Sequence, residues 1–99
     1  MVKGSTPIFT LKLPVHTDTI TYIQVVFVQG KDCVLTVEED RMTYSGMYTS
    51  FTLEDWETLE FKSGVIADIQ VSVSTNDGQT FVSDIKKLAV QKKYPEDLN

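Results

Sequence analysis

The sequence predicts an all-β protein: a two-sheet immunoglobulin-like β-sandwich of about seven strands with one short helical turn. Apolar and polar residues alternate in short segments along most of the chain, as in strands with one buried and one solvent-facing side. Turn residues separate these segments at intervals typical of a sandwich. Because a single flat sheet could not bury one face of so many strands, we expect two packed sheets, with a small barrel as the alternative.

Length and composition limit the class of protein further. The 99 residues are expected to form one domain, residues 1–99, with flexible segments at 1–5 and 92–99. No apolar run is long enough to span a membrane, and no secretory signal is visible at the N-terminus. The net charge of −5 argues against nucleic-acid binding. A single cysteine, Cys33, excludes an internal disulfide and fits a reducing compartment.

Three strands are expected in the first part of the chain, over residues 7–13, 20–29 and 33–39. The first strand ends before a proline, which cannot donate to a ladder. A turn over residues 29–32 joins the second and third strands into a hairpin. The alternation within the third strand places Cys33 on its buried face, as a small core residue.

Two shorter strands follow, over residues 42–44 and 47–52, and lead into a helix-start signal. The hydroxyl of Thr52 can cap a helix, and Asp55 stands at the third position after it, as in a capping box. The spacing of the next apolar residues fits one or two helical turns. These turns are expected to bring Trp56 down over the end of the core.

The longest predicted element is a β-hairpin over residues 65–90. Its turn signal is the segment Asn76–Gly78, because these residue types accept the positive φ angles of tight hairpins. A three-residue loop over this segment, with Gly78 left-handed, pairs Val73 with Phe81 on the core face. A two-residue loop would instead place a lysine on that face, so we expect the three-residue loop.

Charged residues are distributed unevenly. The hairpin register sets Asp68 opposite Lys86, and a change of phase in the apolar pattern indicates a bulge near Lys86–Lys87. Lysines gather near the C-terminus at positions 86, 87, 92 and 93, whereas acidic residues form groups at 38–40 and 54–60. We interpret these groups as solvated surface, with head-to-tail contact between copies as the alternative.

No set of residues predicts a catalytic, cofactor or metal site. His16 lies alone in a connector, and a metal site needs three or four ligands. Cys33 would need a base and an orienting partner to act as a nucleophile. Carboxylate pairs such as Glu54 and Glu57 lie in polar segments that are expected to be exposed, whereas acid–base catalysis needs a desolvated carboxyl group. We therefore expect no enzyme activity and no cofactor.

The candidate functional residues are apolar or aromatic side chains that the pattern leaves outside the core. Val26, Val28 and Val34 are expected together on the outward face of the second hairpin, covered either within the domain or by a partner. Tyr44 and Tyr48 are expected either to form an exposed patch suited to sugar or protein contact or to pack on the sheet. These five residues are the predicted interface.

Several segments resemble one family in the same order along the chain. They are TPIFTLKLP (6–14), FTLED (51–55), LEF (59–61), IQV (69–71), TNDG (75–78) and SDI (83–85). They resemble small β-sandwich proteins of phages and prophages of gut Firmicutes. The chain departs from that pattern by an inserted Trp56–Glu57 and by Ser72, where arginine is usual. More distantly, the architecture is similar to the N-terminal domain of phage baseplate upper proteins.

The resemblance implies a function for the chain. It implies a non-enzymatic phage or prophage structural protein, a tail, neck or baseplate component that acts as an assembly module and forms homo-oligomers. The implied partners are other copies of itself or other virion proteins, with no nucleic acid and no membrane. The implied location is the bacterial cytoplasm during assembly and then the virion. The alternative is a binding module for a host glycan or protein.

Overall fold

A computed structural model describes residues 1–92, except for the side chains of residues 83–85. Within them lie seven strands and one short helix: β1 (Ile8–Lys12), β2 (Ile20–Gln29), β3 (Asp32–Glu38), β4 (Thr43–Ser45), β5 (Tyr48–Thr52), α1 (Asp55–Thr58), β6 (Ala67–Thr75) and β7 (Thr80–Leu88). Two 3-10 turns cover Thr17–Thr19 and Glu39–Arg41.

The strands form two antiparallel sheets. The small sheet has the order β1-β5-β4, and the large sheet has the order β3-β2-β6-β7. The predicted all-β sandwich with one short helical turn is therefore confirmed. In immunoglobulin constant domains the second strand shares a sheet with the first, fourth and fifth strands. Here β2 instead lies between β3 and β6, at the centre of the large sheet.

The core lies between the two sheets and contains four aromatic rings. Phe9 and Phe51 of the small sheet stack with their centroids 5.6 Å apart. Both rings meet Phe27 of the large sheet, at 5.4 and 6.1 Å. Phe61, from the segment before β6, packs edge-on against Phe27 at 5.6 Å. All four side chains are buried, and burying each one stabilises the fold by about 2 kcal/mol.

The hairpin of β6 and β7 has the predicted turn. Val73 pairs with Phe81. The backbone N–H of Thr75 donates to the carbonyl oxygen of Gln79 at 2.9 Å, which closes a three-residue loop. Gly78 has a φ of 85°, in the left-handed region that favours glycine. The local sequence signal therefore predicted this turn correctly.

The predicted bulge in β7 is present. Its extra residue comes before Lys86, whereas the predicted pairing of Asp68 with Lys86 needs the extra residue after Lys86. Ile69 pairs with Lys86, which leaves an extra residue at position 85. As a result, Asp68 lies opposite Lys87, whose Nζ donates to Asp68 Oδ1 at 2.8 Å. The expectation that Asp68 pairs with Lys86 is wrong, because the extra residue precedes Lys86 and shifts the ladder by one position.

A second bulge, in β3, corrects two expectations about side-chain direction. Phe27 pairs with Leu35 and Val28 pairs with Cys33, so Val34 is the extra residue. Cys33 therefore joins the outer face and is exposed, whereas Val34 packs against the core. The predictions of a buried Cys33 and an outward Val34 are wrong, because one extra residue reverses the alternation that precedes it.

The N-terminal segment, expected to be flexible, is hydrogen-bonded to the end of α1 and to the segment after β7. The N–H of Lys3 donates to the carbonyl oxygen of Gln91, just after β7, at 3.0 Å. The N–H of Gly4 donates to Thr58 Oγ1, at the end of α1, at 2.8 Å. The segment therefore has defined backbone contacts, and its flexibility stays a prediction. Of the C-terminal segment with the same expectation, residues 93–99 lie outside the described residues.

Candidate interaction surfaces

The helix α1 begins two residues later than the sequence predicts. Glu54, not Thr52, is the N-cap, and the carboxylate of Glu57 accepts the backbone N–H of Glu54 at 2.9 Å. Each helical residue turns the chain by about 100°, so a shift of two residues nearly reverses the buried side. Glu57 and Thr58 therefore face the interior in place of Trp56.

Glu57 is buried and forms an ion pair with Arg41, the only arginine in the chain. Arg41 Nη1 donates to Oε2 at 2.5 Å, and Nη2 donates to Oε1 at 2.6 Å. Arg41 Nη2 also donates to the carbonyl oxygen of Thr52 at 3.0 Å. These bonds connect the turn before β4 with the end of β5 and with α1.

The ion pair shifts the pKa of both partners. Hydrogen bonds from Arg41, together with the backbone N–H of Glu54, hold the pKa of Glu57 below its ordinary value despite burial. The same contact raises the pKa of Arg41. Within the described residues, no buried side-chain nitrogen or oxygen lacks a hydrogen-bond partner. Glu57 is thus a structural carboxylate, which the prediction of an exposed acidic group missed.

The side chains that α1 and the two residues after it turn outward form an apolar surface with an acidic rim, here named the Trp56 surface. Its apolar part is Trp56, 62% exposed, and Leu59, 48% exposed, and its rim is the exposed carboxylates of Asp55 and Glu60. Trp56 and Leu59 are three residues apart and so lie on the same side of the turn. The expectation that Trp56 covers the core is wrong, and Phe61 is among the residues that fill that end.

The predicted outward patch of the second hairpin is reduced to two half-buried valines. Val26 lies between Thr36 of β3 and Gln70 of β6, and Val28 lies between Cys33 and Asp68. Val34 has left this face through the bulge in β3. Val26 therefore has polar neighbours on both adjacent strands and Val28 has Asp68 on one, so the three predicted residues do not form a continuous apolar patch.

The two predicted tyrosines lie on opposite faces of the small sheet. Tyr48 pairs with Ser45, whereas Tyr44 pairs with Thr49, the buried residue that follows Tyr48. Neighbouring residues of a strand point to opposite faces, so the tyrosines point apart. They are similarly exposed, at 44% and 46%, and the Tyr44 hydroxyl donates to the carbonyl oxygen of Glu39 at 3.3 Å.

The remaining reactive side chains have local structural contacts. His16 Nδ1 accepts the N–H of Asp18 at 3.3 Å and caps the first 3-10 turn. Cys33 Sγ lies 3.5 Å from the hydroxyl of Thr36. In the part of the chain that the structure describes, no three His, Cys, Asp or Glu side chains are placed to hold a metal ion. That part also has no helix long and apolar enough to cross a membrane.

Among the exposed apolar side chains of the described residues, Trp56 and Leu59 stand on or next to a helix that the Arg41–Glu57 ion pair holds in place. In comparisons with known proteins, the sequence matches no family model and no curated protein, and the structure matches no solved structure.

Proposed function

We propose that the protein is a non-enzymatic structural component of a phage or prophage particle, in the tail, neck or baseplate, where it acts as an assembly module. Its segments resemble those of small Firmicute phage proteins in the same order, and this resemblance supports a place in a phage particle. The Trp56 surface supports the role in assembly. The chain is made in the bacterial cytoplasm and built into the virion, where its partners are other copies of itself or other virion proteins.

The observation that carries the assembly role is the exposure of Trp56 and Leu59 on an anchored helix. A monomer gains no stability from the exposed parts of these side chains, which are 62% and 48% of their surfaces, whereas burying those parts in a contact would contribute about 1 kcal/mol each. Tryptophan is also one of the residue types enriched among residues that dominate binding energy at protein interfaces.

The support beneath this surface favours binding. The Arg41–Glu57 ion pair fixes α1 from one side. The hydroxyl of Thr58, which donates to the carbonyl oxygen of Ser5 at 2.9 Å, fixes it from the other. Because Trp56 stands on a backbone that is already ordered, little further conformational entropy is lost when a partner covers it.

The charges around the Trp56 surface indicate what its partner carries. Asp55 and Glu60 give the surface an acidic rim, so a complementary partner presents lysine or arginine. A second copy offers Lys86 and Lys92, which are both exposed. Another virion protein with a basic rim would fit equally well.

The alternative function, binding of a host glycan or protein through Tyr44 and Tyr48, has less support. A flat ligand such as a sugar ring stacks on aromatic side chains that share one face. The register of β4 and β5 places these two side chains on opposite faces.

The test uses Trp56 as its own reporter, since it is the only tryptophan. With rising protein concentration, or on addition of a partner, its fluorescence should shift to shorter wavelength while light scattering shows a rising mass. Trp56→Ala should weaken the association, and Val82→Ala, at a 69% exposed position on the large sheet, should leave it unchanged.

The second part of the test addresses the particle. Particles released from the source bacterium after prophage induction, purified by density and analysed by mass spectrometry, should contain peptides of this chain. Particles that lack it, together with an association that Trp56→Ala leaves intact, would contradict the proposal.

A further inference from the structure

The backbone of β1 presents hydrogen-bonding groups to an open edge. Two backbone hydrogen bonds continue the β1–β5 ladder just beyond the ends of the two strands. Leu13 N–H donates to the carbonyl oxygen of Met47 at 2.7 Å, and Leu53 N–H donates to that of Pro7 at 3.0 Å. In an antiparallel ladder, bonded pairs recur at every second residue. The intervening residues, whose N–H and C=O groups point away from β5, are Ile8, Thr10 and Lys12.

The other sheet edges in the described chain are shaped in ways that discourage strand addition. β3 and β7 each contain a bulge, and β7 carries two lysines beside its bulge. β4 is only three residues long. β1 has five residues, pairs with β5 without a shift in register, and has its single charge, Lys12, at its end. Bulges, charges and short length are the usual means of protecting an edge, and β1 has the least such protection.

We propose that two copies of this chain pair through β1, antiparallel about a two-fold axis at Thr10. The two small sheets then form one continuous sheet. This inference rests on the proposed function, in which other copies are partners, and it names the strand that joins them. In the symmetric register, Thr10 lies opposite Thr10 of the second copy, and Ile8 of each copy lies opposite Lys12 of the other.

The side chains opposed in this register are complementary. Ile8 is 74% exposed and lines an open groove of about 390 Å³ together with Glu54. Directly opposed residues in a sheet have Cβ atoms about 5 Å apart. The alkyl part of Lys12 from the second copy therefore covers Ile8, and its ammonium group reaches toward the Glu54 carboxylate. Arg41, which also lines the groove, is already paired with Glu57.

Symmetry doubles this contact. Because Ile8 and Lys12 lie on the same strand, each copy provides both halves, and the apolar and ionic contacts each form twice. The occupant that fits both the edge and the groove is thus a second copy of this chain.

The decisive variant is Thr10→Pro, measured by sedimentation equilibrium. The N–H of Thr10 points to the open edge, so proline removes no bond to β5, and edge strands tolerate such a proline. It removes both Thr10 hydrogen bonds across the two-fold axis, so the dimer Kd should rise at least about tenfold. Thr10→Val is the matched control. Like Thr10→Pro it loses the hydroxyl contact with Ser50, which spans 3.0 Å, but it keeps the N–H and should leave the Kd unchanged.

A charge variant tests the register. Lys12→Glu places a carboxylate near Glu54 of the second copy and should raise the Kd by about threefold to tenfold. Lys31→Glu makes the same change in the exposed turn between β2 and β3 and should have no effect. Circular dichroism should show that all four variants remain folded.

The outcomes separate this inference from the proposed function. A chain that stays monomeric at every concentration, or a dimer that Thr10→Pro leaves intact, overturns pairing through β1. Association that depends on Trp56, or presence of the chain in particles, would still support the assembly role in either case.

Discussion

The large sheet and the small sheet differ in how far polar side-chain pairs and bulges protect their outer faces and edges. The outer face of the large sheet carries polar pairs between strands: Gln24 donates to Glu38 at 3.1 Å, and Lys87 donates to Asp68 at 2.8 Å. Both of its edge strands contain bulges. The small sheet has one regular edge, β1, whose exposed end residue is Ile8.

This difference assigns separate roles to the two sheets. Bulged, charged edges keep the large sheet from pairing with other chains, and its polar pairs suit a face in contact with water. The small sheet supports the two features that remain open to other molecules. These are the unpaired edge of β1 and, through the end of β5, the exposed Trp56 surface. The contacts proposed through these two features therefore lie on the side of the small sheet.

The variant with the largest expected effect removes the anchor of the small sheet. Glu57→Gln breaks the buried ion pair and leaves the Arg41 guanidinium without its counter-charge. The free energy of unfolding should fall by about 3 kcal/mol, the lower end for a buried pair because the Arg41 side chain is 31% exposed. Urea denaturation measures it, with Glu60→Gln at an exposed position as the control. Equal effects of both variants would contradict the structural role of Glu57.

The same ion pair predicts a pH dependence. Because the folded state lowers the pKa of Glu57 from its ordinary value of 4.5, its contribution is fully present above that value. It is lost as the pH falls further and the folded protein binds the proton. Denaturation at a series of pH values should show a loss of stability below pH 4.5 that is smaller in Glu57→Gln. Identical acid profiles for both proteins would show that Glu57 does not contribute.

An intermediate effect is expected on the outer face of the large sheet. Val28→Asp places a second carboxylate beside Asp68 and removes a half-buried side chain. It should lower stability by about 1 kcal/mol while leaving the mass in solution unchanged. Thr10→Pro should do the reverse, with a changed mass and little change in stability. If Val28→Asp dissociates oligomers, the large sheet also takes part in assembly.

The smallest effect concerns Cys33, which the bulge in β3 leaves exposed. Its thiol should react with a soluble disulfide reagent in the folded protein nearly as fast as in urea. A thiol that reacts only after unfolding would show that Cys33 lies in the core, as unbroken alternation predicts, and would contradict the bulge.

The sequence predicts the turn between β6 and β7 because its signal is local. Asn76–Gly78 has the residue types that the backbone needs, and only one register matches the apolar faces of the two strands. The sandwich follows for the same reason, since alternation within each strand determines which face is buried.

Two features could not be predicted from local signals. Thr52 has a side chain preferred at an N-cap, whereas the helix begins at Glu54, whose N–H bonds to the Glu57 carboxylate, and this difference turns Trp56 outward. In β3, Cys33 and Val34 both suit a half-buried position, so their order does not reveal the bulge. The open edge of β1 depends on strand order, which no single segment contains.

The bonds of the N-terminal segment have a mechanical consequence. Lys3 bonds to Gln91, which follows β7 of the large sheet, and Gly4 bonds to Thr58, which follows β5 of the small sheet. A force applied to this segment therefore acts on two connections at adjacent residues, one after each sheet. Both hydrogen bonds must break before the segment detaches from the end of α1 and from the segment after β7.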